Sequence, residues 1–87
     1  MTILYSGRVQ GVGFRYSVKA LTPGFEITGT VRNLPDGRVE MIVEGERDEL
    51  DAFRQAIRQS GLGAMIQREE ETFGPVAGEF RGFDIVR

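Results

Sequence analysis

Residues 7–15, with the sequence GRVQGVGFR, decide how this chain begins to fold, because they join a strand-like segment to a helix-like one. Upstream, residues 2–9 alternate between apolar and polar side chains, with Ile3, Tyr5 and Val9 on one face. Downstream, residues 14–21 carry apolar side chains at helical spacing. Period-two alternation is typical of a half-buried strand, and the longer period is typical of a helix. The segment therefore predicts a strand, a turn with two glycines and a helix, which Pro23 and Gly24 end.

The same segment has the chemistry of an anion-binding loop. Gly11 and Gly13 accept positive φ without a Cβ clash, so successive N–H groups can face one concave surface. The first N–H groups of a helix also lack intrahelical partners. Arg15 adds a planar guanidinium that can bind two oxygens of one anion. An ordinary strand-to-helix turn with a surface arginine is the alternative, which these residues alone leave open.

The rest of the chain repeats the two patterns. Residues 25–33 and 38–44 alternate and are joined by the turn sequence LPDG at 34–37, which predicts a hairpin. Residues 46–60 carry Leu50, Phe53 and Ile57 on one stripe and predict the longer helix. Residues 65–73 and 80–87 predict two further strands, separated by an irregular connection through Gly74, Pro75 and Gly78.

This order predicts an α+β fold, the ferredoxin-like βαββαβ sandwich, with an antiparallel sheet and both helices on one face. We expect residues 1–87 to form a single domain. In that arrangement the first two strands run parallel to each other, with the third strand between them. Their ends then lie at one edge of the sheet, about 10 Å apart. Arg15 follows the first strand and Asn33 ends the second, so both residues are expected at a common site.

Composition narrows the chemistry. The 87 residues include no cysteine and no histidine, which excludes thiolate catalysis, phosphohistidine intermediates and most transition-metal sites. A net charge of −2 argues against a nucleic-acid partner. Glu69, Glu70 and Glu71 alternate across a strand, so a solvated strand is favoured over a metal site. No segment is long and apolar enough for a membrane span, and the first residues lack the features of a signal peptide, so we expect the cytoplasm.

Two segments resemble the signatures of the acylphosphatase family. The first is residues 7–15, and the second is residues 29–39, GTVRNLPDGRV, with Gly45 behind it. The closing residues 82–85, GFDI, are similar to the last strand of that family, so the resemblance spans nearly the whole chain. Tyr5 departs from the family pattern, which usually has an aliphatic residue there, and Pro23 interrupts a helix that normally continues.

The resemblance implies a metal-free enzyme without a cofactor, which hydrolyses the carboxyl–phosphate bond of small acyl phosphates to carboxylate and inorganic phosphate. It implies that Arg15 binds the phosphate and that Asn33 orients the attacking water. The N–H groups expected to surround the phosphoryl oxygens belong to Gln10, Gly11, Val12, Gly13, Phe14 and Arg15. Inorganic phosphate and sulfate are expected to compete with the substrate, and we expect a monomer that binds neither nucleic acid nor membranes.

Two other functions remain open at this point. One is a non-catalytic domain that binds anions or carbamoyl phosphate, since similar modules occur at the front of larger carbamoyl-transfer proteins. The other is an RNA-binding module of the same fold, since residues 81–85, RGFDI, are similar to part of an RNA-recognition signature. Turnover of an acyl phosphate separates the enzyme from both.

Overall fold

The computed structural model describes residues 1–74, 78 and 80–87. Within those residues the chain forms five strands, two α-helices and one short 3₁₀ helix. In chain order these are β1 (Thr2–Gly7), α1 (Phe14–Ala20), β2 (Ile27–Asn33), β3 (Val39–Gly45), α2 (Arg47–Gln59), the 3₁₀ helix (Gly61–Met65), β4 (Ile66–Thr72) and β5 (Phe83–Ile85). In the described ranges, no helix combines the length and the apolar character that a membrane crossing requires.

The five strands form one sheet in the order β4-β1-β3-β2-β5. β3 pairs antiparallel with both β1 and β2, so β1 and β2 run parallel with β3 between them, as predicted. The sheet is mixed and not purely antiparallel, because β5 pairs parallel with β2. β4 occupies the edge of the sheet beside β1, so β5 lies at the opposite edge, beside β2. There it runs in the same direction as β2.

A single core lies between the sheet and the two helices. The stripe predicted for α2 is buried, and so are the inward residues predicted for β1 and β3. Aromatic rings join the elements across this layer: the Phe53 ring lies 5.3 Å from that of Phe25 and 5.9 Å from that of Phe83. The buried side chains are Ile3, Tyr5, Val9, Phe14, Val18, Val31, Val39, Met41, Val43, Leu50, Phe53, Ile57, Leu62 and Phe83. Both helices therefore pack on one face of the sheet, as predicted.

The structure agrees with the predicted end of α1 to within one residue but adds a short helix after α2. α1 stops at Ala20, and Thr22 then donates its hydroxyl to the carbonyl of Lys19 at 2.8 Å. Pro23 has no N–H to donate and disfavours helical backbone in the residue before it, so the helix stays short. The 3₁₀ helix was not predicted. Ser60 begins it by accepting from the N–H of Leu62 at 3.1 Å.

The predicted C-terminal strand, residues 80–87, is shorter in the structure and spans only Phe83–Ile85. Part of the irregular connection before it, including Pro75, lies outside the described residues. Asn33 of β2 and Tyr5 of β1 both pair with Val39 of β3. The ends of β1 and β2 are thus level at one edge of the sheet, and this edge carries the candidate site.

Candidate active site

The glycine loop, residues 8–13, leaves β1 and turns into α1 at the edge where β2 ends. Gly11 has a φ of 74° and Gly13 a φ of 78°, which confirms the left-handed backbone expected at these positions. Among the described residues, apart from the two chain neighbours, no heavy atom lies within 4 Å of the position that a Cβ would take on either glycine. Glycine is therefore required by the backbone conformation alone, because other residues adopt positive φ at a cost in energy.

The backbone N–H groups from Gln10 to Tyr16 have no acceptor among the described residues. The first hydrogen bond of α1 runs from the N–H of Ser17 to the carbonyl of Gly13 at 3.0 Å, so the three preceding N–H groups have no helical acceptor. In the described part of the chain, no N–H group from Gln10 to Tyr16 donates to another residue. Successive unpartnered donors in a glycine turn are the physical basis of an anion nest.

Three hydrogen bonds fix the loop from opposite sides. The side chain of Gln10 donates to the carbonyl of Leu34 at 2.8 Å and to that of Arg38 at 2.9 Å, which joins the loop to the β2–β3 turn. On the other side, the N–H of Arg8 donates to the carbonyl of Met65 at 3.0 Å, where β4 begins. Sequence reasoning had assigned Gln10 only through its backbone and had missed this contact. The loop is therefore held in position before any ligand arrives.

Arg15 lies half-buried in the first turn of α1. Within residues 1–74, 78 and 80–87 its guanidinium has neither a hydrogen-bond acceptor nor a carboxylate partner. By contrast, Arg32 pairs with Glu40 at 2.8 Å and Arg38 with Asp36 at 2.8 Å. Arg15 thus keeps all five of its donors available at the end of the glycine loop.

Asn33 ends β2 at the same edge of the sheet. Its Oδ1 atom is buried and has no hydrogen-bond partner among the described residues. The turn that follows is closed without it, because the N–H of Leu34 donates to the carbonyl of Arg38 at 2.8 Å. The N–H of Arg38 also donates to Asp36 at 3.0 Å. The simple alternative for Asn33, a residue that caps this turn, therefore has no contact in its favour.

The carboxylates of β4 have a structural role. Glu69 accepts hydrogen bonds from Arg54 at 2.9 Å and from Arg58 at 2.7 Å, and Glu71 pairs with Arg54 at 2.7 Å. We call these four residues the salt-bridge cluster. The prediction of a merely solvated strand was therefore incomplete. Among the described residues, no group of three or more potential metal-binding side chains is close enough to hold an ion.

The RNA-like segment near the C-terminus does not present its aromatic residue to solvent. Phe83 is buried, and its ring packs edge-on against Phe53. Stacking on nucleic-acid bases requires an exposed ring, so this segment lacks the surface that an RNA-binding sheet uses.

Comparison with known proteins gives matches that span nearly the full length of the chain. The family model described as Acylphosphatase matches residues 1–85. An acylphosphatase of Acaryochloris marina is 45% identical over 85 residues, which cover 94% of this chain and 87% of that protein. The crystal structure of acylphosphatase from Bacillus subtilis has a TM-score of 0.87 at 34% identity, covering 99% of this chain and 96% of the other. The structure of T. kodakarensis HypF matches with a TM-score of 0.84 at 33% identity, covering 99% of this chain and 11% of that protein.

Proposed function

Because this chain belongs to the acylphosphatase family, we propose that it hydrolyses small acyl phosphates by binding the phosphoryl group at Arg15 and the glycine loop while Asn33 orients the attacking water. The family assignment makes it an enzyme, and the family acts on small acyl phosphates. The roles of the individual residues are the proposal.

One observation carries the proposal: at the sheet edge that also holds Asn33, the half-buried Arg15 and a row of N–H groups beside it have no partner among the described residues. A phosphoryl group presents three oxygens that accept from such donors. Arg15 supplies a charge that needs no proton exchange, and the loop supplies fixed dipoles. Donors held in place before the reaction stabilise developing charge without reorganisation.

Hydrolysis of an acyl phosphate needs few protein groups beyond Arg15, the glycine loop and Asn33. Water attacks phosphorus, a new P–O bond forms, and the bond from phosphorus to the carboxylate oxygen breaks. A carboxylate leaves readily as an anion, so no strong general acid is required. The proton of the water passes to a phosphoryl oxygen of the substrate. Phosphoryl transfer depends mainly on positioning and on charge stabilisation, which a chain without histidine or cysteine can provide.

Asn33 acts on the water through its side-chain amide, which makes no hydrogen bond to any of the described residues. A water that exchanges hydrogen bonds with this amide is held in one place. The amide thereby fixes the direction from which water approaches phosphorus.

The test is release of inorganic phosphate from benzoyl phosphate in the presence of a metal chelator. We expect activity in the native protein, a loss of about a thousandfold in kcat/KM for Arg15→Ala and about a hundredfold for Asn33→Ala. Arg32→Ala is the matched control, since Arg32 precedes Asn33 on β2 but is paired with Glu40. Inactivity of the native protein would refute the function, and full activity of both folded variants would refute the assigned residues.

Inorganic phosphate and sulfate should inhibit competitively, because they present the same oxygens to the loop. A protein that phosphate does not inhibit would contradict the proposed cradle. The proposal also includes a monomer that acts in the cytoplasm, and sedimentation analysis at catalytic concentrations tests the first part.

The alternative of a non-catalytic domain that binds anions or carbamoyl phosphate is not favoured, because the family assignment makes this chain an enzyme. The match to T. kodakarensis HypF shows only that a similar region also occurs as 11% of a longer protein. Such a domain would bind phosphate without releasing it from an acyl phosphate, so the same assay separates the two functions.

A further inference from the structure

The two sides of the glycine loop are chemically different. On the β2 side, Gln10 joins the loop to the β2–β3 turn beside Asn33. On the β4 side, Arg8 joins it to Met65 at the end of the 3₁₀ helix. The strand order β4-β1-β3-β2 places these two anchors on opposite flanks of the phosphoryl position.

Attack of water at phosphorus fixes the side on which the leaving group departs. The attacking and leaving oxygens lie roughly in line through phosphorus. If Asn33 holds the water on the β2 side, the carboxylate oxygen leaves on the β4 side. The acyl group of the substrate therefore extends towards Met65 and the start of β4.

A groove with one apolar and one more polar section lies on that side. The apolar section, of about 370 Å³, runs between α1 and the 3₁₀ helix and includes Leu21 and Leu62. The more polar section, of about 260 Å³, includes Arg8, Ala64 and Gln67. Val12 and Met65 line both sections, so the groove begins at the glycine loop itself. Val12 is 37% exposed, whereas most of the other described valines are core residues.

We propose that this groove binds the acyl group, so that the enzyme favours acyl phosphates with an apolar acyl chain or ring over acetyl phosphate. This inference rests on the proposed function. The walls match the leaving group, because a carboxylate attached to an apolar body meets the guanidinium of Arg8 and then apolar side chains. Arg8 has no ion-pair partner among the described residues, and the size of the larger section lies within the range of small-molecule pockets.

The test compares kcat/KM for benzoyl phosphate and acetyl phosphate. Met65→Gln keeps the length of the side chain but makes the wall polar, and Ala64→Trp fills the groove from an exposed position. We expect either change to lower the benzoyl-to-acetyl ratio about three- to tenfold, with acetyl phosphate turnover within about twofold of native. Phe73→Gln is the control, because Phe73 is an exposed apolar residue beyond the opposite end of β4.

A binding measurement keeps this test separate from that of the proposed function. Benzylphosphonate and methylphosphonate cannot be hydrolysed, and calorimetry compares their affinities for the native protein and both variants. Tighter binding of benzylphosphonate that either groove variant abolishes would support the groove, even if the native protein hydrolyses nothing. Equal affinities, or an unchanged benzoyl-to-acetyl ratio in two folded variants, would overturn the inference while leaving acetyl phosphate hydrolysis intact.

Discussion

Arginine occurs in two contrasting settings in this protein. In the salt-bridge cluster, Arg54 is only 14% exposed and is bound by Glu69 and Glu71. At the glycine loop, Arg15 is half-buried and none of the described residues neutralises it. The first arginine joins α2 to β4. The second is held next to unpartnered N–H groups at an edge of the sheet.

The contrast separates stability from function. A partly buried charge that is fully paired stabilises the fold, since loss of its partner leaves an uncompensated charge. An unpaired charge in a rigid setting contributes little to stability but is available to a ligand. Substitutions in the two regions should therefore have opposite consequences.

Among the substitutions that test this contrast, Arg15→Lys should have the largest effect. Lysine keeps the charge but loses the planar fork that binds two oxygens at once. We expect kcat/KM for benzoyl phosphate to fall about a hundredfold, while the free energy of unfolding changes by less than about 0.5 kcal/mol. Phosphate-release assays and urea unfolding measure the two quantities. A large loss of stability would mean that Arg15 belongs structurally with Arg54.

Arg54→Met should give the converse result. It leaves Glu71 without its partner and Glu69 with only Arg58, so we expect a loss of about 2 kcal/mol in the free energy of unfolding at unchanged activity. The control is Arg68→Met, whose side chain is 72% exposed and pairs with Glu70; there the loss should stay below about 0.5 kcal/mol. Equal stability losses in the two variants would remove the distinction between buried and surface pairs.

Gln10→Ala tests whether the loop needs its anchor. The change removes both hydrogen bonds to the β2–β3 turn. We expect about a tenfold loss in kcat/KM, because a misplaced cradle loses catalytic power, and about 1 kcal/mol of stability. Gln59→Ala, at the exposed end of α2, is the matched control. If activity survives in Gln10→Ala, the loop holds its shape without this contact.

The salt-bridge cluster should also make stability depend on pH. Burial raises the pKa of Glu69, but hydrogen bonds from Arg58 and Arg54 outweigh it, so the pKa lies below the ordinary value of 4.5. A carboxyl whose pKa is lower in the folded state stabilises the fold above its unfolded pKa, and this stability is lost as the pH falls through the folded value. Glu69→Gln should therefore flatten the decline in unfolding free energy as the pH falls below about 4.5. An unchanged slope would mean that groups other than Glu69 cause the loss of stability in acid.

The smallest effect is expected at Tyr5, which lies on β1 between the salt-bridge cluster and the glycine loop. Its ring packs 5.3 Å from that of Phe14, and its buried hydroxyl has no hydrogen-bond partner among the described residues. Burial, followed by the charge of Glu69, raises the pKa of this tyrosine. Tyr5→Phe removes an unsatisfied polar group and keeps the ring, so the free energy of unfolding should stay level or rise by up to about 1 kcal/mol. Destabilisation would show that the hydroxyl has a partner, and urea unfolding decides the sign.

Local sequence patterns predicted the strands and helices well wherever the spacing of apolar residues fits only one of the two. Alternation identified β1, β2 and β3, and the stripe of Leu50, Phe53 and Ile57 identified α2. The 3₁₀ helix was missed because it depends on a hydrogen bond between Ser60 and Leu62, which no periodicity reveals. The position of β5 beside β2 was missed because three residues carry too little pattern to select a neighbour.

Part of the candidate site could likewise be predicted from the sequence, and part could not. Positive φ at Gly11 and Gly13 was predictable, since glycine alone adopts it freely. The side-chain contact of Gln10 was not, because its acceptors lie 24 and 28 residues away and a glutamine in a loop has no preferred partner.

The sequence by itself determined the order of strands and helices, the conformation of the glycine loop and the absence of histidine and cysteine chemistry. These follow from the period of apolar residues, from the backbone freedom of glycine and from composition, all of which are local properties. Only the tertiary structure decided which arginines are neutralised, that Asn33 Oδ1 is buried without a partner among the described residues, and that a groove begins at Val12. Charge pairing and burial depend on residues that are distant in sequence, so they appear only once the sheet has brought its strands together.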